Sequence, residues 1–400
     1  MLETPYRADA EELLPEIVSL RRAIHREPEI GLQTPLTHDK VLAALEGLPL
    51  EIRRGPSTTG VVAVLKGPDN GRTVLLRGDT DALPMQEETG LDFASTIPGA
   101  MHACGHDSHT AMLVGAAKLL CANRDRLAGT VMFMFQPGEE GWHGARHMLE
   151  DGLLDPLPDA AFALHVLPNA PHGLVAGRGG PLLASADKVK IWVRGSGGHA
   201  SMPHDAMDPV PVACELVTAI HTFVTRQIPI SDPAVVTIGK IEAGTTDNVI
   251  PDTAFLFGTM RTLSPETRAK VQAGLTRLAE HIAAAHGLTA TVEFVKGFPV
   301  TICDPRAVAL GSDTAKSLFG DDAWQTMASP IMGAEDFSYV LEKVPGAMFF
   351  LGAAHEDADW KKAEVLHSTR MVIDESVMAR GAALHAQIAE RFLADGFGEA

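Results

Sequence analysis

The sequence predicts an α/β protein with a mixed, largely parallel sheet covered by helices, and a smaller α+β domain inserted into it. Three observations lead there. At 400 residues the chain exceeds what one ordinary core spans, so two domains are the starting expectation. Apolar runs in the first and last parts of the chain are continuous, as in strands buried on both faces. Between about residues 185 and 297 they give way to strands that alternate polar and apolar, each with one wet face. The expected division is 1–184 with 298–400 as the larger domain, and 185–297 as the insertion.

Residues 9–26 read as an amphipathic helix with Leu13, Ile17, Leu20 and Ile24 on one face. "GVVAVLKG" and "TVLLRGD" read as strands, and "SHTAMLVGAAKLLCANRDRLAG" as a helix that Asp107 or Ser108 would cap. "TVMFMFQPGEEG" is a strand running into a turn, "ARHMLEDGLL" a helix, and "AAFALHV" another strand. In the insertion, "DKVKIWVRG", a helix at about 207–226, "PAVVTIGKIEAG", "DTAFLFGTMRT", a helix near 265–286 and "TATVEFVKG" follow as βαββαβ. That order is ferredoxin-like, a small antiparallel sheet with helices on one face. The larger domain then resumes with a helix near 305–319, the strand "AMFFLGAA" and a final helix around 375–394.

Composition narrows the class of partner. With 51 acidic and 33 basic residues the net charge is −18, which argues against nucleic acid or an anionic membrane surface and favours solubility. The longest apolar run of the "VMFMF" kind is strand-sized, far short of a bilayer span. The N-terminal stretch lacks a basic start followed by an apolar core, so no signal peptide is expected. Four scattered cysteines without framework spacing make a reducing cytoplasm the default.

In open α/β sheets, sites form beyond the carboxyl ends of the strands. Asp79 and Asp81 end "TVLLRGDTDALP", Cys104 and His106 lead into the following helix, Glu139 and Glu140 follow "TVMFMF", and His165 ends "AAFALHV". His367, in "VLHSTR", is a fifth contributor far along the chain. Cysteine, histidine and carboxylate together suit zinc or a similar borderline divalent ion. Singly, each has a plain structural explanation: a hydrogen-bonded strand-end histidine, a solvated "GEEG" turn, an inert buried thiol. Locally, "AMHACGHDSHTAM" fits a metal site, a thiol nucleophile with its base, or a polar loop. The group is stronger than its members, because independent strand ends supply matching ligand types to one rim. The Glu139–Glu140 pair adds a mechanism, since one carboxylate can bind metal while the other takes a proton from water attacking a carbonyl.

The insertion holds a different set. His199 lies in the glycine-rich "GSGGHASMPH", Asn248 in "GTTDNVIPD" and Arg261 at a strand end in "GTMRTLSP". Such donors can hold a carboxylate or a developing oxyanion. Turns shaped by glycine and proline explain the same stretches without any ligand.

At this point the motifs resemble a family: the metal-dependent amidohydrolases that include aminoacylase, hippurate hydrolase, plant auxin–amino-acid conjugate hydrolases and carboxypeptidase G. The hippurate hydrolase and auxin-conjugate branch is the most similar. "LRRAIHREPEIGLQT", "LRGDTDALP", "MHACGHDSHTAM", "QPGEEGWHGARHMLEDGLL", "GGHASMPH", "TDNVIPD", "GTMRT", "GAEDFS" and "LHSTRMVIDE" match in order over nearly the whole chain. The resemblance implies hydrolysis of N-acyl amino acids at a site for two divalent ions (zinc, manganese, cobalt or nickel), with Cys104, His106, Glu140, His165 and His367 as ligands. It implies Glu139 as general base, and the insertion as a lid domain that mediates dimerisation. His199, in that lid, is expected to be a catalytic donor acting on the neighbouring subunit of a homodimer, and Asn248 and Arg261 to bind substrate. Other branches carry a histidine in the first aspartate motif and a bridging aspartate, so Asp81 is expected to support the site rather than ligate. Trp142 and His143 stand where relatives commonly have small residues, and bordering the pocket they would alter acyl preference. His102 and His109 carry no assigned role, and His109 reads equally as a surface residue of the helix's first turn.

A dipeptidase or carbamoyl-amino-acid hydrolase with the same mechanism is the near alternative. A thiol hydrolase using Cys104 with His106 as base leaves Glu139, Glu140, His165 and His367 unexplained. A non-catalytic metal-binding protein would not need Glu139.

Overall fold

A computed structural model of the chain describes residues 6–398. The chain folds as two compact units. The first holds the described residues up to Leu182, together with Ile302–Ser329 and those from Asp336 onward; the second holds Leu183–Thr301 and Pro330–Glu335. The return of Pro330–Glu335 to the second unit follows from backbone pairing, since the Ala184 N–H lies 2.8 Å from the Gly333 carbonyl. No pattern in the sequence announces it.

The first unit is built on an eight-stranded sheet in the order Leu50–Arg54, Val61–Lys66, Gly129–Gln136, Arg72–Asp79, Ala160–Leu167, Gly346–Gly352, Val175–Gly177, Trp324–Thr326. The four strands from Gly129–Gln136 through Gly346–Gly352 run parallel; Val61–Lys66 and Val175–Gly177 join them antiparallel, Leu50–Arg54 pairs antiparallel with the former and Trp324–Thr326 parallel with the latter. Burial follows the apolar runs: every residue of Gly346–Gly352 is buried, as are five of the six in Val61–Lys66. Helices Tyr6–His25, His106–Ala122 and Val377–Asp395 pack on one another and on the sheet. Because the central strands are parallel, Asp79, Gln136 and Leu167 all end on the same edge. The mixed, largely parallel sheet is the architecture expected.

The second unit is an antiparallel sheet in the order Ala234–Ala243, Thr253–Thr262, Asp187–Arg194, Thr289–Val295. Helices Pro209–Gln227 and Pro265–Ala285 supply the βαββαβ order, and both pack on the buried positions Val189, Ile191 and Val193. Each helix starts with proline after a capping side chain: Asp208 accepts from Val210 N at 2.9 Å, and Ser264 from Thr267 N at 3.0 Å. Such caps are worth about 1 kcal/mol each, and proline suits a position whose N–H has no helical partner.

The helix after "AMHACG" is entered differently from expectation. Its cap position is Gly105, in the left-handed conformation at φ 84°, and no side chain caps it. Asp107 and Ser108 are not caps: the Ser108 hydroxyl donates to the Gly105 carbonyl at 2.5 Å, and Asp107 points into the interior.

Candidate metal centre

Gly105 makes the centre possible. A Cβ there would sit 2.5 Å from Val166 Cγ2, and the positive φ suits glycine. The turn leaves Cys104 just before the helix and His106 as its first residue, beside strand Ala160–Leu167, which carries His165. His367 arrives from far along the chain, held by its backbone N–H to the Ala103 carbonyl at 2.9 Å. It too is left-handed, at φ 67°, an uncommon conformation for a side-chain-bearing residue and one that clusters at functional sites.

The thiol of Cys104 is the meeting point. His165 Nε2 lies 3.4 Å and His367 Nε2 3.3 Å from its sulfur, and His367 Nε2 is 3.3 Å from a Glu140 carboxylate oxygen. Two trios with metal-ligand spacing result, Cys104–His106–His165 and Cys104–Glu140–His367, and Cys104 belongs to both. The outer atoms of these side chains are also engaged. His106 Nδ1 lies 2.9 Å from the Asp81 carbonyl oxygen and His165 Nδ1 2.7 Å from the Val166 carbonyl oxygen, fixing which nitrogen each ring presents inward. His106 Nε2 is buried and makes no hydrogen bond. A soft thiolate, imidazole nitrogens and a carboxylate within reach of one another, with one buried nitrogen unsatisfied, suit a borderline divalent ion.

The electrostatics point the same way. Burial alone opposes charge on His106, but Asp79 and Cys104 outweigh it and raise its pKa well above 6.5. Hydrogen bonds to Cys104 and Glu140 push His367 up to about 10. Burial pushes the Cys104 thiol up and holds His165 well down, hence neutral. The negative potential that draws protons to His106 and His367 is the one a divalent cation satisfies.

Asp81 stands behind the centre. One carboxylate oxygen accepts the Glu139 backbone N–H at 2.9 Å and the other that of Glu140 at 3.1 Å. Glu139 itself is buried and shares a metal-spaced trio with His106 and Glu140. His109 is not a surface residue; it is 1% exposed. Its Nε2 accepts the Val166 N–H at 2.9 Å, so Nδ1 carries the proton toward Asp79 at 2.6 Å. Asp79 is locked in turn by Arg77, which also reaches Gln136 and Asp336.

A second buried network escaped the sequence reading. Arg21 Nε donates to Asp107 at 2.7 Å, His25 Nδ1 lies 2.7 Å from the same oxygen, and Arg21 also donates to Glu375 at 3.0 Å. His25 Nε2 faces Glu87 at 3.2 Å. The only sequence hint was that "LRRAIHREPE" and "MVIDE" recur in the resemblance, without a partner to attach them to.

In the second unit, His199 and Asn248 come together and Arg261 does not join them. Gly198–His199 pairs with Val249–Ile250, and Ala200 N–H reaches the Asn248 carbonyl at 3.1 Å. Arg261 lies near the other end of Thr253–Thr262, opposite Val235, roughly 27 Å along an extended strand from its start. Within a single copy of this unit, Arg261 thus stands apart from His199 and Asn248. His199 Nδ1 accepts the Ser201 backbone N–H at 3.2 Å, which leaves Nε2 as the protonated, donating nitrogen on an exposed ring.

A parallel-sheet unit whose strand ends gather cysteine, histidine and carboxylate is the scaffold of a metal-dependent hydrolase. Residues 75–391 match the model of peptidase family M20/M25/M40, and the chain belongs to that family. It is 38% identical over 375 residues to the N-acetylcysteine deacetylase of Bacillus subtilis, covering 93% of this chain and 96% of that one. It is 36% identical over 381 residues to IAA-amino acid hydrolase ILR1-like 4 of Arabidopsis thaliana, covering 94% and 86%. The crystal structure of the Bacillus subtilis YXEP protein, a dinuclear metal binding peptidase of the M20 family, superposes with a TM-score of 0.84 at 35% identity, covering 96% of this chain and 99% of that one. The protein is thus a metal-dependent amide hydrolase. No described helix is long and apolar enough to cross a membrane.

Proposed function

We propose that the protein cleaves N-acyl amino acids to a carboxylic acid and a free amino acid. Relatives named for N-acetylcysteine deacetylation and IAA-amino acid hydrolysis support that substrate class. The observation that carries the site assignment is the pair of trios sharing Cys104, with buried Glu139 beside them. Cys104, His106, Glu140, His165 and His367 would hold two ions. When bound, the ions supply Lewis-acid activation of water and of the scissile carbonyl.

The chain's own residues do the rest. Glu139 takes a proton from water as its oxygen attacks the carbonyl carbon, then returns that proton to the amine nitrogen as the C–N bond breaks. Asp81 holds the two glutamate amides in register for this. His199 Nε2–H donates to the developing oxyanion, and Asn248 and Arg261 hold the substrate carboxylate. The separation of Arg261 from His199 and Asn248 along one strand supports a homodimer in which His199 serves the neighbouring subunit's site. Ala234–Ala243 is an edge strand with Val235 and Ile241 exposed, as a pairing edge would be.

A panel of N-acetyl, N-benzoyl and indole-acetyl amino acids, with a dipeptide and a carbamoyl amino acid beside them, tests the reading. Hydrolysis of the acyl conjugates that chelation abolishes and Zn, Mn, Co or Ni restores is expected. Full activity in metal-free protein, blocked by iodoacetamide, would replace it with the thiol mechanism. Preference for the dipeptide or carbamoyl compound would move the substrate class.

A further inference from the structure

The loop that carries Glu139 and Glu140 continues into an aromatic surface with no part in the mechanism above. Gly144 N–H closes the loop onto the Gly138 carbonyl at 3.0 Å, and Gly141 N–H onto that of Glu139 at 2.6 Å. Trp142 therefore sits in the same tight turn as the base. The residue is 51% exposed, unusual for the largest apolar side chain in a well-packed unit. It is nevertheless seated. A Cβ on Gly31, where φ is +84°, would lie 3.2 Å from the indole Cε2, so a side-chain-free, left-handed residue lets the ring lie on the backbone. Gly31 follows Ile30, which bridges to Ala82, the residue after Asp81. The ring thus rests on the segment packed against the support of Glu139 and Glu140.

The next residue reinforces this. His143 has φ 60° and, with His367, is one of two side-chain-bearing residues with positive φ among those described. Its Nδ1 lies 3.0 Å from the Tyr339 hydroxyl, and the two rings meet edge to face at 5.9 Å between centroids. A conformation that side chains avoid, kept in place by an aromatic partner beside a catalytic loop, marks a held geometry rather than an idle turn.

We infer that Trp142 is a specificity-determining residue, a stacking platform that favours flat aromatic acyl groups over acetyl. The inference rests on the proposed function, in which Asn248 and Arg261 take the carboxylate of the amino-acid half. The acyl half is left for a neutral hydrocarbon surface, and an exposed indole on the loop that carries the base fits a planar one.

The test compares N-benzoylglycine, N-acetylglycine and N-acetylphenylalanine on wild type, Trp142→Ala and Trp142→Phe, each with verified folding and metal content. The ratio of kcat/KM for benzoylglycine over acetylglycine should fall roughly tenfold in Trp142→Ala, mainly through KM, and return in Trp142→Phe. As a readout independent of turnover, benzoylglycine should quench indole emission of Glu139→Gln protein more than acetylglycine does, and the difference should vanish in the double variant Glu139→Gln/Trp142→Phe. An unchanged ratio and an unchanged quench difference would overturn the inference. A loss confined to acetylphenylalanine would overturn the acyl assignment, placing the indole on the amino-acid side. Failure of wild type to cleave any conjugate would overturn the proposed function instead, and the quench comparison would still decide the role of Trp142.

Discussion

The Asp81 carboxylate accepts the backbone N–H of Glu139 with one oxygen and that of Glu140 with the other, at 2.9 and 3.1 Å. A single acid therefore sets the backbone of the proposed base and of a proposed ligand. Asn at this position keeps one acceptor and turns an amide N–H₂ on the other backbone N–H. Asp81→Asn is expected to lose about 10- to 100-fold in activity or metal affinity, the usual cost of removing such support. Metal content and kcat/KM measured together would show it; wild-type values for both would discard the positioning role.

Glu139 and Glu140 are adjacent, but the proposed function gives them different parts. Replacing either by Gln keeps the size and removes the charge. Glu139→Gln should retain metal and lose on the order of 10² to 10⁴ in turnover. Glu140→Gln, on the His367 side of Cys104, should instead lose metal. Near wild-type turnover by Glu139→Gln would remove it as the base.

Asp107, sealed under the centre, depends on Arg21 and His25. Arg21→Ala strands a fully buried carboxylate with one partner fewer, and breaking such a pair typically costs roughly 3 to 5 kcal/mol. Urea unfolding is the measurement, and a change within a few tenths of a kcal/mol would contradict it. His25 adds a pH signature. Burial opposes its charge, but Asp107 and Glu87 outweigh burial and raise its pKa above the ordinary 6.5. A raised folded pKa means the contribution is full below 6.5 and is lost as pH rises through the folded value. The stability gap between wild type and His25→Gln should therefore narrow from mildly acidic to alkaline buffer; a gap that widens would reverse the assignment.

His199 offers the sharpest test of assembly. His199→Ala should be folded, metal-loaded and nearly inactive, since oxyanion donors are worth roughly 3 to 4 kcal/mol. Mixed after reversible dissociation with inactive Glu139→Gln, it should regain activity, because one site of each mixed dimer then carries neither defect. Random reassortment makes about half the dimers mixed and restores about a quarter of wild-type activity. Verified mixing with no recovery would put His199 in its own subunit's site or in none.

The helices and strands that position the centre were legible from the sequence because periodicity and apolar runs are properties of neighbours along the chain. Continuous burial in "AMFFLGAA" and alternation in "DKVKIWVRG" each read correctly. So did the kinds of residue at the strand ends, since parallel strands bring their carboxyl ends to one rim whatever their exact order. The partners of those residues were decided only by the tertiary structure. Asp107 reads as a possible helix cap, yet it serves Arg21, 86 residues away, and His109, without a role in the sequence, bridges Asp79 and Val166 in the interior. Strand pairing alone puts His199 beside Val249, just before Thr253–Thr262, and Arg261 near the far end of that strand. A hydrogen bond between distant segments leaves no periodic trace in either one, because its geometry exists only once both have packed.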